Sequence, residues 1–269
     1  MQVENKDDQK LEFLWEHLSW PEIQERLKEV DVAILPCGAI EQHGPHLPVD
    51  IDYYDALHLA IDVAKACTTP RPFVLPPIPF GVSYHHQDFK GTISVTNEAL
   101  SRFVYDIGMS LAQNGIKKLL ILNGHGDNAP TLNFAAQMIN RDAHIFVCVD
   151  TGETSDEDLY GLSETPNDIH AGEIETSTTL ALRPHMVKME KAVDEIPQFG
   201  SRYMDFTSAY GLPWYVRTHK ISKSGVIGAP SLADAKKGQK MWDIMVEHLV
   251  KFIEDIKNSK LEDLHQRRY

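Results

Sequence analysis

Eight acidic and imidazole side chains of this chain fall into three short groups: Glu41, His43 and Asp52; His125 and Asp127; His170, Glu173 and Glu175. Histidine together with carboxylate is a ligand set for zinc, manganese or iron. Glu41 and His43 are two residues apart, so an extended backbone points them the same way. Asp52 follows a loop bounded by Pro45 and Pro48 that can return to the same spot. A plainer reading of the first group stays open, an acidic loop that runs into a helix with Asp52 as its cap.

Each group follows an element that can position it. Residues 30–36 read as a buried strand, 73–75 as a second, 91–95 as a short third, 117–122 as a fourth and 145–149 as a fifth. Between them lie helical patterns over 53–67, over 97–114 with Gly115 where a terminal glycine belongs, and over 130–140. A short helix after Ser19, a helix from the His170 group to about Arg183, and a long final helix capped by Ser231 complete the reading. Strands alternating with helices predict a three-layer α/β/α fold with a mostly parallel central sheet. In such sheets ligands bind beyond the carboxyl ends of the strands, so three groups at strand ends converge on one edge.

Gly124-His-Gly-Asp-Asn128 superficially resembles a dinucleotide turn, but the third glycine is missing and an imidazole stands where pyrophosphate would lie. The glycines instead let the backbone bend to aim His125, with Asn123 and Asn128 holding the loop.

The chain has 269 residues, 42% hydrophobic and 24% charged, with a formal net charge of −13. That balance argues against a nucleic-acid partner, which needs clustered Lys and Arg. Cys37, Cys67 and Cys148 are widely spaced, which indicates neither a disulfide framework nor a thiolate zinc site. Residues 1–10 read as a polar tail, 11–258 as a single catalytic domain and 259–269 as a charged tail. With neither an apolar leader nor a membrane-length apolar run, a cytoplasmic chain without membrane contact is expected.

Three motifs resemble the creatininase family: Gly38-Ala-Ile-Glu-Gln-His-Gly-Pro-His-Leu-Pro48 with Asp52, Asn123-Gly-His-Gly126 with Asn128, and His170-Ala-Gly-Glu-Ile-Glu-Thr-Ser177. Weaker echoes lie at 81–92 and 225–230, in family order. The resemblance implies a creatininase-like fold and a hydrolase holding two divalent ions, zinc first, with manganese or iron as alternatives. Glu41 and His125 would bind one ion and His43 the other, with Asp52 bridging. Either Asp127 or Glu175 would complete the second site. His86, or its neighbour His85, would line the substrate pocket beside Gly126, and His46 would support the site from outside.

Two such ions share a water, lower its pKa and polarise the carbonyl it attacks. His170 is then expected to protonate the leaving nitrogen, with Glu173 orienting His170 or taking the proton of the water. The family further implies a homo-oligomer, a hexamer by resemblance, acting on a small molecule. Creatininase proper carries a tyrosine where Gly126 stands and tryptophans in the loop that here runs over 151–169, so a sandwich for a creatinine ring is not evident. A small amide, cyclic amide or formamide is the expected substrate. A metal-binding or assembly protein without turnover, and a hydrolase of cyclic polyol ketones, are the alternatives.

Overall fold

The central strand β1 (Val32–Cys37) is buried along its whole length, because a parallel strand covered on both faces has no solvent side. α1 (Trp20–Arg26) precedes it and starts after Ser19, whose N–H and hydroxyl both bond the Glu22 carboxylate. α2 (Ile51–Ala66) leads to the two-residue β2 (Phe73–Val74). α3 (Asn97–Asn114) ends on Gly115 at φ +108° and feeds β3 (Lys118–Asn123). α4 (Ala129–Asp142), β4 (Phe146–Asp150), α5 (Asp156–Tyr160), α6 (Glu173–Leu182), α7 (Ala235–Asn258) and α8 (Leu261–Leu264) follow. This computed structural model describes residues 11–165, 168–205 and 211–264, so the polar tail over 1–10 and the end of the charged tail over 265–269 lie outside it.

The four strands are all parallel, in the order β2-β1-β3-β4, with helices on both faces. α2 and α7 pack together on β1, and α3 and α4 pack together. Two expectations are corrected. Residues 91–95 form no strand; Ile93 makes a single antiparallel bridge to Ile40, too short to extend a ladder. The cap of α7 is Asp234, which accepts from the N–H groups of Lys236 and Lys237, while Ser231 sits in a 3₁₀ turn and bonds Asp194. α8 lies within the expected charged C-terminal tail.

Along the apolar stripe of α7, Met241, Leu249, Ile253 and Ile256 are buried within the chain, while Ile244, Met245 and Phe252 are half-buried. No helix among the described residues is long and apolar enough to cross a membrane.

Candidate metal centre

β1 and β3 end side by side, with Cys37 opposite Asn123, and the segments that leave them carry the ligands. After β1 the chain passes Glu41 and His43, both fully buried, and enters α2, whose first turn holds Asp52. Gly124 is needed where β3 meets α2, since a Cβ there would lie 2.4 Å from the Asp52 carbonyl oxygen. Asn123 bonds the backbone of His125 at both its N–H and carbonyl, and Asn128 ties Val82 N–H to the Gly38 carbonyl, as the sequence predicts for this loop.

The third group approaches from the opposite wall. His170 pairs with Ile227 in an antiparallel bridge. Ala171 then takes φ +49°, a conformation uncommon for a residue with a side chain, and the chain turns into α6. The Asp168 carboxylate accepts the N–H groups of Glu173 and Ile174 at 2.8 Å and so fixes the start of that helix.

The geometry brings Glu41, His43, Asp52, His125, His170, Glu175 and His86 together. Asp52 Oδ1 lies 3.0 Å from His43 Nε2, and Asp52 Oδ2 lies 3.2 Å from His125 Nδ1. Glu175 Oε2 is 3.7 Å from His43 Nε2, and Glu41 Oε2 is 3.4 Å from the His125 ring. Backbone carbonyls set both histidines: His43 Nδ1 faces Glu41 O at 3.1 Å and His125 Nε2 faces Val82 O at 2.9 Å. A carbonyl only accepts, so these nitrogens carry hydrogen, and in the neutral rings the nitrogens that face Asp52 carry lone pairs.

Lone pairs facing a carboxylate at these distances require a positive charge between them. Both Glu41 oxygens, His43 Nε2 and Asp52 Oδ2 are buried without a hydrogen-bond partner among the described residues. Donor atoms of Glu41, His43 and Asp52 lie within 4.8 Å of one another. Divalent cations fit this set, and an imidazole oriented by a backbone carbonyl is how metal-ligating histidines are usually held. Protons are the alternative charge. Burial lowers the basicity of His43, but Asp52 and Glu175 outweigh it and raise its pKa to about 10; His125 reaches about 10 against burial through Glu41 and Asp52. Burial raises Glu175 to about 8 and also raises Glu41, whereas Asp52 overcomes burial through the two histidines and falls well below the usual carboxylate range.

Two expected residues stand elsewhere. Glu173 is fully buried, but its carboxylate accepts from Ser163, from Thr165 N–H and hydroxyl, and from Lys237 on α7. It ties the 163–165 loop to α7 and is not among the residues that line the cavity, where an acid–base or orienting role beside His170 was expected. Asp127 lies at the rim, about half exposed, and pairs with His85 at 2.8 Å. Of the two acids considered for the second site, Glu175 is the one the fold brings to His43.

His170 Nε2 donates to the Gln42 carbonyl at 2.7 Å, so its Nδ1 turns to the cluster, 3.6 Å from Glu41 Oε1. Burial and the nearby His43 hold it well below its ordinary pKa, hence neutral. The cluster floors a cavity of about 290 Å³, walled by Ile169, Ile221 and Ile227, with Trp214 and Tyr215 in the wall as well. His85, His86 and Asp127 line it too. A Cβ at Gly126 would meet nothing within 4 Å among the described residues, so there is open space at this glycine in the cavity wall. Gln42 also belongs to the site, and its place between Glu41 and His43 is the only sign of this in the sequence.

A parallel sheet with buried histidine–carboxylate donors at its carboxyl edge makes a site that could hold divalent ions. Residues 16–253 match the creatininase family, described as creatinine amidohydrolase, and the chain belongs to that family. It is 32% identical over 263 residues to a 3-dehydro-scyllo-inosose hydrolase of Thermotoga maritima, covering 89% of this chain and 82% of that one. It is 31% identical over 249 residues to a mycofactocin precursor peptide peptidase of Mycobacterium ulcerans, covering 86% and 84%. Among solved structures, a zinc–zinc form of a creatininase variant superposes with a TM-score of 0.79 at 25% identity, over 92% of this chain and 99% of that one. The fold is creatininase-like, and the family and these relatives are hydrolases.

Proposed function

We propose that this protein is a two-metal hydrolase of a small amide, cyclic amide or formamide. The observation that carries the reading is Asp52, whose two oxygens face one nitrogen each of His43 and His125 inside a buried, hydrogen-poor cluster. Glu41, His125 and Asp52 would hold one ion, and His43, Glu175 and the same Asp52 the other; the donor set suits zinc, with manganese or iron as alternatives. Bound there, two divalent cations supply an acidified water and a polarised carbonyl. His170 is neutral with Nδ1 toward the cluster, so it accepts the proton released as water attacks and passes it to the departing nitrogen. The carbonyl–nitrogen bond breaks, and acid and amine leave. His86 and the open space at Gly126 contact the substrate. A cavity of about 290 Å³ has the size of a small-molecule site.

The 32% identity to an inosose hydrolase favours a second reading, cleavage of a cyclic polyol ketone at the same centre. A panel of small amides, formamides and cyclic polyol ketones, assayed after chelation and zinc readdition, separates them. Amine release dependent on zinc supports the first reading and ring opening of a ketone the second. A fully loaded protein without turnover on either class would make it a metal-binding protein only. By family resemblance the protein works as a homo-oligomer, a hexamer in that reading; light scattering showing a monomer at micromolar concentration would oppose this.

A further inference from the structure

We infer that Gln42 is a positioning residue that fixes the tautomers of His86 and His170 at the candidate centre, an inference that rests on the hydrolase reading above. Gln42 is buried, and its side-chain amide touches two backbone groups whose roles admit no choice. Oε1 accepts from Gly44 N–H at 2.9 Å, and Nε2 donates to the Gly225 carbonyl at 3.0 Å. These two contacts orient the amide, since an amide turned over would set its NH₂ against an N–H and its oxygen against a carbonyl.

One hydrogen remains on Nε2, and His86 Nδ1 lies 2.8 Å away. That nitrogen must therefore accept, so His86 carries its hydrogen on Nε2, which faces Glu41 Oε1 at 3.5 Å. The neighbouring His170 is set by the same residue through its backbone. His170 Nε2 is 2.7 Å from the Gln42 carbonyl and 3.0 Å from Gln42 Nε2. Both amide hydrogens are already used, so the second distance is a close contact between donors, and the carbonyl takes the His170 hydrogen.

The two rings stack with centroids 4.2 Å apart, so one residue presents one hydrogen-bearing nitrogen and one lone pair to the same pocket. A proton acceptor at His170 Nδ1 and a donor at His86 Nε2 suit attack on a carbonyl, one group receiving the proton of the water and the other facing developing negative charge. The site is built closely around this amide. A Cβ on Gly225 would lie 1.9 Å from Gln42 Oε1, and Gly225 has φ +89°.

The test is histidine ring ¹⁵N spectroscopy on the zinc-loaded full chain, which reads tautomers whether or not any substrate is turned over. The expected wild-type spectrum has Nε2–H tautomers at both His86 and His170, with a coupling across the hydrogen bond from Gln42 Nε2 to His86 Nδ1. Gln42→Glu cannot donate and should move the His86 hydrogen to Nδ1. Gln42→Met should leave His86 in mixed tautomers and lower kcat ~10-fold or more, with KM changed less. An Nδ1–H tautomer at His86 in the wild type, or tautomers and kcat unchanged in both variants, overturns the inference. Should the variants fail to fold, the wild-type coupling decides, and its absence overturns the assignment. Correct tautomers in a protein that hydrolyses no panel compound would leave the positioning role standing and remove the hydrolase reading instead.

Discussion

Asp52 Oδ1 lies 3.0 Å from His43 Nε2, whose other ring nitrogen is committed to the Glu41 carbonyl. The contact is stable only with a proton or a cation between the two atoms. The second oxygen of Asp52 repeats the arrangement with His125 Nδ1 at 3.2 Å, so this carboxylate belongs to both halves of the cluster. Asp52→Ala is expected to remove both ions while the protein stays folded. Elemental analysis after gel filtration checks this, and a full metal complement in the variant would refute the bridging assignment.

Metal affinity should rise with pH. Without metal, His43 and His125 hold protons up to about 10, and those protons must leave as ions enter. Between pH 6 and 9 each displaced proton is expected to strengthen apparent affinity up to ~10-fold per pH unit. The gain should level off above about pH 10, where the histidines are already neutral. Competition with a chromophoric chelator at several pH values measures the slope; a flat profile would mean that these nitrogens do not bind the ions.

Glu173 and Glu175 should separate cleanly. Glu173→Gln is expected to keep both ions but to cost about 2–4 kcal/mol of stability, through lost charge-assisted bonds to Thr165, Ser163 and Lys237. Burial opposes ionisation of Glu173, but the bond from Lys237 and those from Thr165 and Ser163 hold it down at about 2. A depressed carboxylate stabilises above its unfolded pKa of ~4.3 and loses that contribution as pH falls through the folded value. The variant should therefore show a shallower loss of thermal stability across that acid range. Glu175→Gln should do the reverse, weakening metal binding with little change in melting temperature. Calorimetry with metal analysis on both variants checks the pair, and metal loss from Glu173→Gln would restore it to the site.

That pair also shows where the sequence stops being legible. Residues two apart on a helix point about 200° away from each other, so Glu173 and Glu175 cannot face one pocket together. Which of them turns inward depends on how α6 packs on α7, and no local pattern carries that. Asp127 poses the same problem, because its partner His85 lies on a separate loop. Glu41, His43, Asp52, His125 and His170 were legible because a parallel sheet gathers its strand ends at one edge. α3 was legible to its last residue because Thr96 caps it and Gly115 stops it. The segment over 91–95 has strand-like composition but makes one isolated bridge, Ile93 to Ile40, and a bond from Val95 N–H to the Gly81 carbonyl instead of a ladder, and composition does not report which neighbour a segment meets.

His170→Asn should bind both ions normally yet lose ~10²–10⁴-fold in kcat on an amide, the usual worth of general acid–base catalysis. The loss should shrink on an activated ester, whose leaving group needs no proton. An equal loss on both substrates would give His170 a structural role, and loss of metal would make it a ligand.

Two ions are expected to act together in one buried cluster. Zinc is titrated into metal-stripped protein while hydrolysis of the best panel substrate and bound zinc are followed in the same samples. Turnover is expected to appear with metal and to reach its plateau near two equivalents per chain. A plateau at one equivalent, or turnover that persists in the stripped protein, would contradict the two-metal reading.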